Sequence, residues 1–491
     1  MDSSKEAIII SPLTSFGEVR VAQPVPRVQL DAVYGIRDIT DTQSLTDGVT
    51  GSISISDGTG QLYSVNTGVA ANGYAILKSK RAVRYRPGTG ILFRYTALYS
   101  APKANSSIRA GAYSNGTELS FGYVGTQFGI LYRTAARQEI QRLTVATAAT
   151  GNETLTVTLN GVAKTVAVTS GTKKHNAFQV ASTVFPGWEV SHNGETVTFI
   201  SNLIGAKAGA FSIASTGAMA GTFSELVAGV STSTTTDTFI PQTEWNNLRL
   251  LGDQPDPFIL DPTKGNVFAI KIQYLGFGGI QFLVENPSSA SFVVVHTIKY
   301  SNKNIASSLD YPIFKMGFIA ENLGNTSDVY VRSASAAGFI EGLIEKFRNT
   351  LSMKNSKAGI GTTSTNILSI RNRGEFASRI NLTEVFPLIL EYAADASKNC
   401  ELRLVLNPTL GGEPDWTYIS QGISTIEYDI AGTTVTGGLD LFSSVIAKID
   451  SRSVNLKDLD IHLDRNDVLT IAMKATTSTV DTSVSISWSE D

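Results

Sequence analysis

The 491-residue sequence predicts a mainly β protein: a β-sandwich interrupted by a small inserted α+β module, followed by a second, C-terminal β-sandwich. Two observations carry this. Short runs rich in Val, Ile, Thr, Tyr and Phe alternate with turn-forming residues, among them 43 Gly and 15 Pro, which is the pattern of strands and tight connections. Period-two alternation recurs at Gly51–Ser56, Thr154–Leu159 and Val480–Trp488, whereas helical periodicity is rare.

Residues 1–33 carry Pro12, Pro24 and Pro26 among single apolar residues such as Ile8, Ile9, Ile10, Val19, Val21 and Leu30. Such a stretch cannot bury itself, so an N-terminal arm laid across a neighbouring surface is expected. It lacks a positive n-region and a long apolar core, so synthesis in a cytoplasm without processing is expected. Residues 34–138 read as seven strands separated by Asp57-Gly58, Asn72-Gly73, Pro87-Gly88, Asn115-Gly116 and Gly125.

The character changes over 139–232. Two strands joined by Asn160-Gly161 precede an amphipathic helix expected over Lys173–Phe185, with Ala177, Val180, Ala181 and Val184 on one face and Pro186-Gly187 as its stop. A hairpin over Trp188–Ser201 turns at Asn193-Gly194, and Ser231–Thr236 reads as a flexible exit. Residues 233–348 resume the first style and complete the first sandwich. Within them Phe339–Phe347 reads either as a short helix or as a strand end and turn. Residues 349–366, poor in large apolar side chains, read as a linker. Residues 367–491 suffice for the second sandwich.

Charged residues are 17% of the chain, against about 25% in typical globular proteins, and the net charge is −3. Nucleic acid as the main partner is excluded, because it requires a dense basic face. A charge-poor surface suits a protein covered by its neighbours. No window reaches the ~18 apolar residues of a membrane-spanning helix. One cysteine, Cys400, forms no intrachain disulfide, and four scattered histidines without a CxxC pattern argue against structural zinc.

Several residues invite chemistry. Asp458, Asp460, His462 and Asp464 alternate with Leu459, Ile461 and Leu463; on a strand the four would share one face at ~6.6–6.8 Å spacing, where a divalent cation could bridge neighbours. The expected arrangement is simpler, with the apolar face inward and the charged face in water. Asp253, Asp256 and Asp261 are interspersed with Pro255, Pro257 and Pro262; loop carboxylates so placed could hold calcium by analogy with lectin-like sandwiches, but they match no EF-hand spacing. A glycosidase needs two carboxylates ~5–9.5 Å apart across a cleft; Asp458/Asp460 lacks aromatic neighbours to stack on sugar. Cys400, with His175, His192, His296 and His462 dispersed, reads as a buried thiol. Lys78, Lys80, Arg81, Arg84 and Arg86 surround Tyr85 in the densest basic cluster of the chain. They could track phosphates or an acidic glycan, and an electrostatic contact between subunits is the preferred reading. Gly276, Gly278 and Gly279 precede a strand rather than a helix, so they form a turn or bulge, not a phosphate cradle. No catalytic, cofactor or metal residues are therefore assigned, and no enzymatic activity is expected.

The stretches Tyr85–Gly88, Leu92–Thr96, Phe121–Tyr123, Phe128–Leu131, Leu260–Val267, Tyr274–Gly278, His296–Tyr300 and Ala337–Gly342 resemble a virion structural protein family of tailed phages and large DNA viruses. The strand layout on either side of the insertion is similar to the concanavalin-type, laminin-G-like jelly roll. The insertion is similar to small modules grafted onto phage tail and fibre proteins. The resemblance spans about 35–345. It implies a non-enzymatic structural component located in the virion, of tail, collar or fibre type, with baseplate and capsid decoration as other placements. Its implied partners are copies of itself and other virion structural proteins. The alternative it implies is an adhesin that recognises a host cell-surface glycan.

Overall fold

The computed structural model describes residues 23–33, 35–56, 61–233, 236–342, 350–395, 399–446 and 450–491. It is 55% strand and 3% helix, in several antiparallel sheets, so the expected fold class holds. Among the described residues no helix is long and apolar enough to cross a membrane.

Two large sheets form the first sandwich. One runs through Ser291–Ile298, Ile280–Asn286, Asn266–Ile272, Gly90–Tyr99, Tyr330–Ser333, Leu62–Asn66 and Ser52–Ser56, with Ser335–Glu341 also paired to Gly90–Tyr99. The other runs through Asp237–Pro241, Gln127–Arg133, Glu118–Val124, Ser106–Tyr113, Ile313–Asn322, Tyr74–Ser79 and Thr42–Thr46. Side chains two apart on a strand share a face, and Phe93, Tyr95, Ala97 and Tyr99 accordingly point into the core. There they meet Phe121, Phe128, Phe268 and Phe282, with Phe121 and Phe268 ring centroids 4.7 Å apart. Tyr95 and Tyr99 cross the layer: their hydroxyls donate to Ala110 O at 2.8 Å and Phe121 O at 2.9 Å. Two buried phenols thus find backbone acceptors on the opposite sheet, as buried polar groups must.

Between the two halves of this sandwich, Gln138–Thr147 opens a smaller unit. Its four-stranded sheet holds Trp188–Asn193, Thr196–Ile204, Gln138–Thr147 and Ala220–Val227. Its three-stranded sheet holds Val162–Val168, Glu153–Leu159 and Ser212–Ser215. Leu143, Val157, Ala177, Val180, Phe185 and Phe199 fill the space between. Asn160 and Gly161 both have positive φ (51° and 79°), the geometry of a type I′ hairpin. The second hairpin pairs Asn193 with Thr196, so its turn residues are Gly194 and Glu195, one later than expected, with Gly194 supplying the positive φ at the first position.

The C-terminal unit stacks a four-stranded sheet (Thr350–Ile360, Val480–Glu490, Val385–Asp395, Asp450–Asn455) on a six-stranded one (Thr417–Tyr418, Ile426–Asp429, Thr365–Asn372, Val468–Ala475, Cys400–Leu406, Leu439–Ile446). Trp488, Leu390, Leu404 and Ile471 are central to its core.

Three expectations are corrected: the arm, the linker and the extent of the helix. The N-terminal arm, as far as described, is not laid on a neighbour: Pro24–Asp31 pairs antiparallel with Ser335–Glu341 of the same chain, and Val28 and Leu30 enter the core. It is an outer strand with a register shift between Pro26 and Val28, where missing proline N–H groups are tolerated; residues 1–22 lie outside the described residues. The linker 349–366 contains the 11-residue strand Thr350–Ile360. Its outward positions are small or polar, so only Leu351, Met353 and Ile360 betray a buried side. The helix ends at Ala181 rather than Phe185. Ser182 and Thr183 hydroxyls donate to the carbonyls of Phe178 and Gln179, an alternative to continued helix; Val184 is exposed while Phe185 enters the core. Of Phe339–Phe347, the described part is the strand Ser335–Glu341, and residues 343–349 lie outside the described residues. In the exit Ser231–Thr236, Thr236 closes a turn by donating from N to Ser233 O at 3.0 Å, with 234–235 outside the described residues.

The second large sheet of the first sandwich is covered on both faces. Every residue of Ser106–Tyr113 is buried. Its outward residues Tyr74, Ile76, Tyr113 and Ile319 pack against Leu203 of the inserted unit. Ile140 and Ile200 of that unit meet Ile380 of the C-terminal one. The three units therefore share a junction.

Candidate functional site at the junction of three units

The basic cluster lies on the turn that follows Tyr74–Ser79. Lys80 Nζ stands 2.7 Å from Asp467 Oδ1, with both side chains more than nine-tenths buried. Arg81 Nη2 donates to Asp460 Oδ2 at 2.7 Å and to Asp460 O at 2.8 Å. Arg86 pairs with Asp491, and Arg84 Nε lies 3.9 Å from the same carboxylate. Ala82 N donates to Glu384 Oε1 at 2.8 Å. From the neighbouring strand Ile313–Asn322, Lys315 Nζ reaches Asp464 Oδ2 at 2.5 Å. Four of the five cluster residues, Lys80, Arg81, Arg84 and Arg86, thus face the chain's own C-terminal unit, and for them the expected contact between subunits is corrected to one within the chain.

The acidic alternation is the other half of the same contact. It is not a strand: Lys457–Leu459 is a short 3-10 turn and Asp460 is left-handed at φ 49°. Ile461 and Leu463 are buried as expected, whereas Asp464 is buried and His462 half-buried rather than in water. The loop Asp460–Asp467 sends Asp460, Asp464 and Asp467 to the first sandwich and Arg465 to the inserted unit. There Arg465 Nη2 meets Glu189 Oε2 at 2.8 Å, and Gln43 donates to the same carboxylate. A second seam joins the inserted and C-terminal units. Arg371 Nη2 donates to His192 O at 2.6 Å and pairs with Glu427, while Asn193 Nδ2 donates to Glu427 Oε1 at 2.8 Å.

Burial sets the electrostatics. Glu384 is pushed up to about 7, first by burial and then by the carboxylates of Asp464 and Asp491. His462 is held down at about 4 by burial and the cations Arg81, Lys80 and Lys315. His192 is held at about 4 by burial and Arg371. Lys78 is lowered to about 8 by burial, reinforced by Lys315 and Arg465. Burial would raise Asp464, but Lys315 and then Arg465 hold it below its ordinary value. Between the three units lies a cavity of about 50 Å³ lined by Lys78, Tyr113, Ser114, Gln138, Glu384 and Arg465 among others.

The remaining candidates stay apart. Asp253 pairs with Arg249 at 3.1 Å. Asp256 Oδ2 accepts from Leu251 N and Gly252 N, and Asp261 Oδ1 from Thr263 N and Oγ1. Each carboxylate serves its own turn, and among the described residues no group of three His, Cys, Asp or Glu could hold a metal. Cys400 is buried in the C-terminal core, its thiol pushed up to about 11 by burial. His296 Nδ1 accepts from Asn246 N at 3.2 Å, and His175 lies by Glu413. Gly276–Gly279 forms a hairpin turn, with Gly278 N donating to Tyr274 O at 2.6 Å; a Cβ at Gly278 would lie 1.4 Å from Gln273 O. Sequence reading did not find Glu189, Lys315, Glu384, Arg465 or Asp467. They are isolated charges whose partners lie far away in sequence, and no local signal marks them.

One more surface is shaped for contact. On the outer face of the C-terminal four-stranded sheet, the register aligns Lys354, Ser485, Glu391 and Ser453 in one row and Ser356, Ser483, Ala393 and Ser451 in the next. They line an open groove of about 520 Å³.

No family model matches the chain, and no curated protein matches it. Among solved structures, it is similar to lectin II from Ulex europaeus at 10% identity, covering 65% of this chain and all of that one, with a TM-score of 0.24. It is also similar to the botulinum neurotoxin serotype C1 binding domain at 6% identity, covering 93% and 97%, with a TM-score of 0.26. A chain from the atomic structure of Sulfolobus Turreted Icosahedral Virus matches at 10% identity, covering 91% and 90%, with a TM-score of 0.14.

Proposed function

We propose that this chain is a non-enzymatic structural component of a viral particle, of tail, collar or fibre type in a tailed phage, working in the virion beside copies of itself and other structural proteins. The observation that carries the reading is the junction around Asp460–Asp467, which fastens three β-rich units to one another through buried ion pairs. Such pairs add little net stability, because desolvation offsets their attraction, but breaking one is costly, so they fix a single arrangement. A subunit whose task is mechanical needs that fixity. The charge-poor composition, with 17% charged residues, suits faces that other subunits cover. The test is the composition of purified particles: a constant copy number per particle supports the role, and absence removes it.

A second reading, an adhesin for host cell-surface glycan, is favoured by the groove of Lys354, Ser356, Glu391, Ser453, Ser483 and Ser485, whose hydroxyls and two opposite charges suit a polyol. A glycan array probed with the full chain tests it; Ser485→Trp, which fills the groove, should abolish any signal that arises there.

A further inference from the structure

Among the unpartnered polar groups of the junction cavity, donors outnumber acceptors. Lys78 lines it, and among the described residues no carboxylate lies within ion-pair distance of its ammonium; its recorded neighbour is the Tyr113 ring, 5.7 Å from Nζ to centroid. Tyr113 OH, Ser114 Oγ, Asn115 Oδ1 and Arg465 Nε belong to side chains lining the same cavity, and each is buried without a hydrogen-bond partner among the described residues. Buried polar groups are nearly always satisfied, and an unmet donor costs about 1–3 kcal/mol. Three buried donors without partners, beside the Lys78 ammonium and against the one unmet acceptor Asn115 Oδ1, therefore call for a further acceptor.

Charge points the same way. Lys78, Lys315 and Arg465 line the cavity against Glu384 and Asp464. Asp464 is engaged by Lys315, and Glu384 Oε1 by the Ala82 N–H. Burial and the cations Lys315 and Arg465 lower Lys78 against the more distant pull of Glu118 and Glu189, and an anion in the cavity would relieve this. Size narrows the class. A space of about 50 Å³ is several times the ~10–15 Å³ that admits one water, which suits a tetrahedral oxyanion or a carboxylate group and not a nucleotide or an oligosaccharide.

We propose that this cavity binds a small oxyanion, with Lys78 as counter-ion and Tyr113 OH, Ser114 Oγ–H and Arg465 Nε–H as donors. The anion is either inorganic, phosphate or sulfate, or the carboxylate of a larger molecule. Because Lys78, Tyr113 and Ser114 come from the first sandwich and Arg465 from the C-terminal unit, the bound anion ties these two together, beside Gln138 of the inserted unit. Anything that binds the folded state selectively stabilises it.

The test is calorimetric titration of the full chain with phosphate, sulfate and glucuronate at constant ionic strength, beside thermal unfolding in the same solutions. Saturable binding by at least one anion, with a matching rise in melting temperature, is expected. Lys78→Met should weaken it at least tenfold and Ser114→Ala severalfold, while the exposed Lys264→Met leaves it unchanged. Binding of phosphate and sulfate alone identifies an inorganic anion; binding of glucuronate alone identifies a carboxylate. The proposal is overturned if no anion binds saturably, or if Lys78→Met, shown folded by its circular dichroism, binds as tightly as the parent.

Discussion

Lys80 and Asp467, 387 positions apart in the chain, meet with 2.7 Å between Nζ and Oδ1 in a nearly water-free setting. Asp467 also accepts from Asn407 Nδ2 at 2.8 Å and from Asp464 N, so the carboxylate is held from its own unit before the lysine arrives. Removing only one partner strands a charge. Lys80→Ala or Asp467→Ala should each cost ~3–5 kcal/mol, read as a fall in the denaturation midpoint. The double variant Lys80→Met with Asp467→Leu should recover most of that loss, because it removes the desolvation penalty together with the attraction. A double variant as unstable as the sum of the singles would show that the two residues act independently.

The cross-layer phenols give a smaller, cleaner effect. Tyr99→Phe removes the hydroxyl that donates to Phe121 O and leaves the aromatic packing in place. A loss of ~0.5–1.5 kcal/mol is expected. Phe121→Ala, deleting a ring at the centre of the same core, should cost ~3–5 kcal/mol. The ratio of the two midpoint shifts checks whether packing or the hydrogen bond dominates.

The pH profile follows from three groups at the seams. Glu384 is raised from 4.5 to about 7, so the folded state holds its proton longer than the unfolded state. Its contribution is complete below pH 4.5 and is lost as pH rises through 7. His462 and His192 are lowered from 6.5 to about 4; their contributions are complete above pH 6.5 and are lost as pH falls through 4. Two histidines outweigh one glutamate where the windows overlap, so stability between pH 4 and 7.5 should peak near 6.5. Denaturation midpoints across that range check it. Glu384→Gln should flatten the alkaline side, and His462→Gln with His192→Gln should flatten the acid side.

Turn geometry offers a local check. At Asn160-Gly161 both residues are left-handed, and Gly161→Val should cost ~1–2 kcal/mol through strain at that one position. The effect belongs to the inserted unit alone and is read from hydrogen exchange of Glu153–Leu159 and Val162–Val168.

What the sequence made legible was periodic and local. Alternating Ile and Ser at Gly51–Ser56, or Val, Ile and Trp at Val480–Trp488, encode which face is buried, and two-residue turns encode where strands reverse. Strands without that contrast were missed. Pro24–Asp31 carries two prolines, and Thr350–Ile360 is mostly small or polar because one of its faces is in water. The junction was half legible. The cationic run Lys78–Arg86 and the acidic alternation Asp458–Asp464 both stood out, but nothing local tells that they face each other. Pairing across nearly four hundred residues is a property of tertiary packing, which also buries Asp464 and half-buries His462 where alternation alone placed them in water.

The most direct measurement for the central claim is quantitative peptide mass spectrometry of gradient-purified viral particles from the genome that encodes this chain. The account predicts a fixed copy number per particle that survives high-salt washing. Particles that lack the chain, with the protein recovered as a free monomer that shortens a polysaccharide, would contradict it.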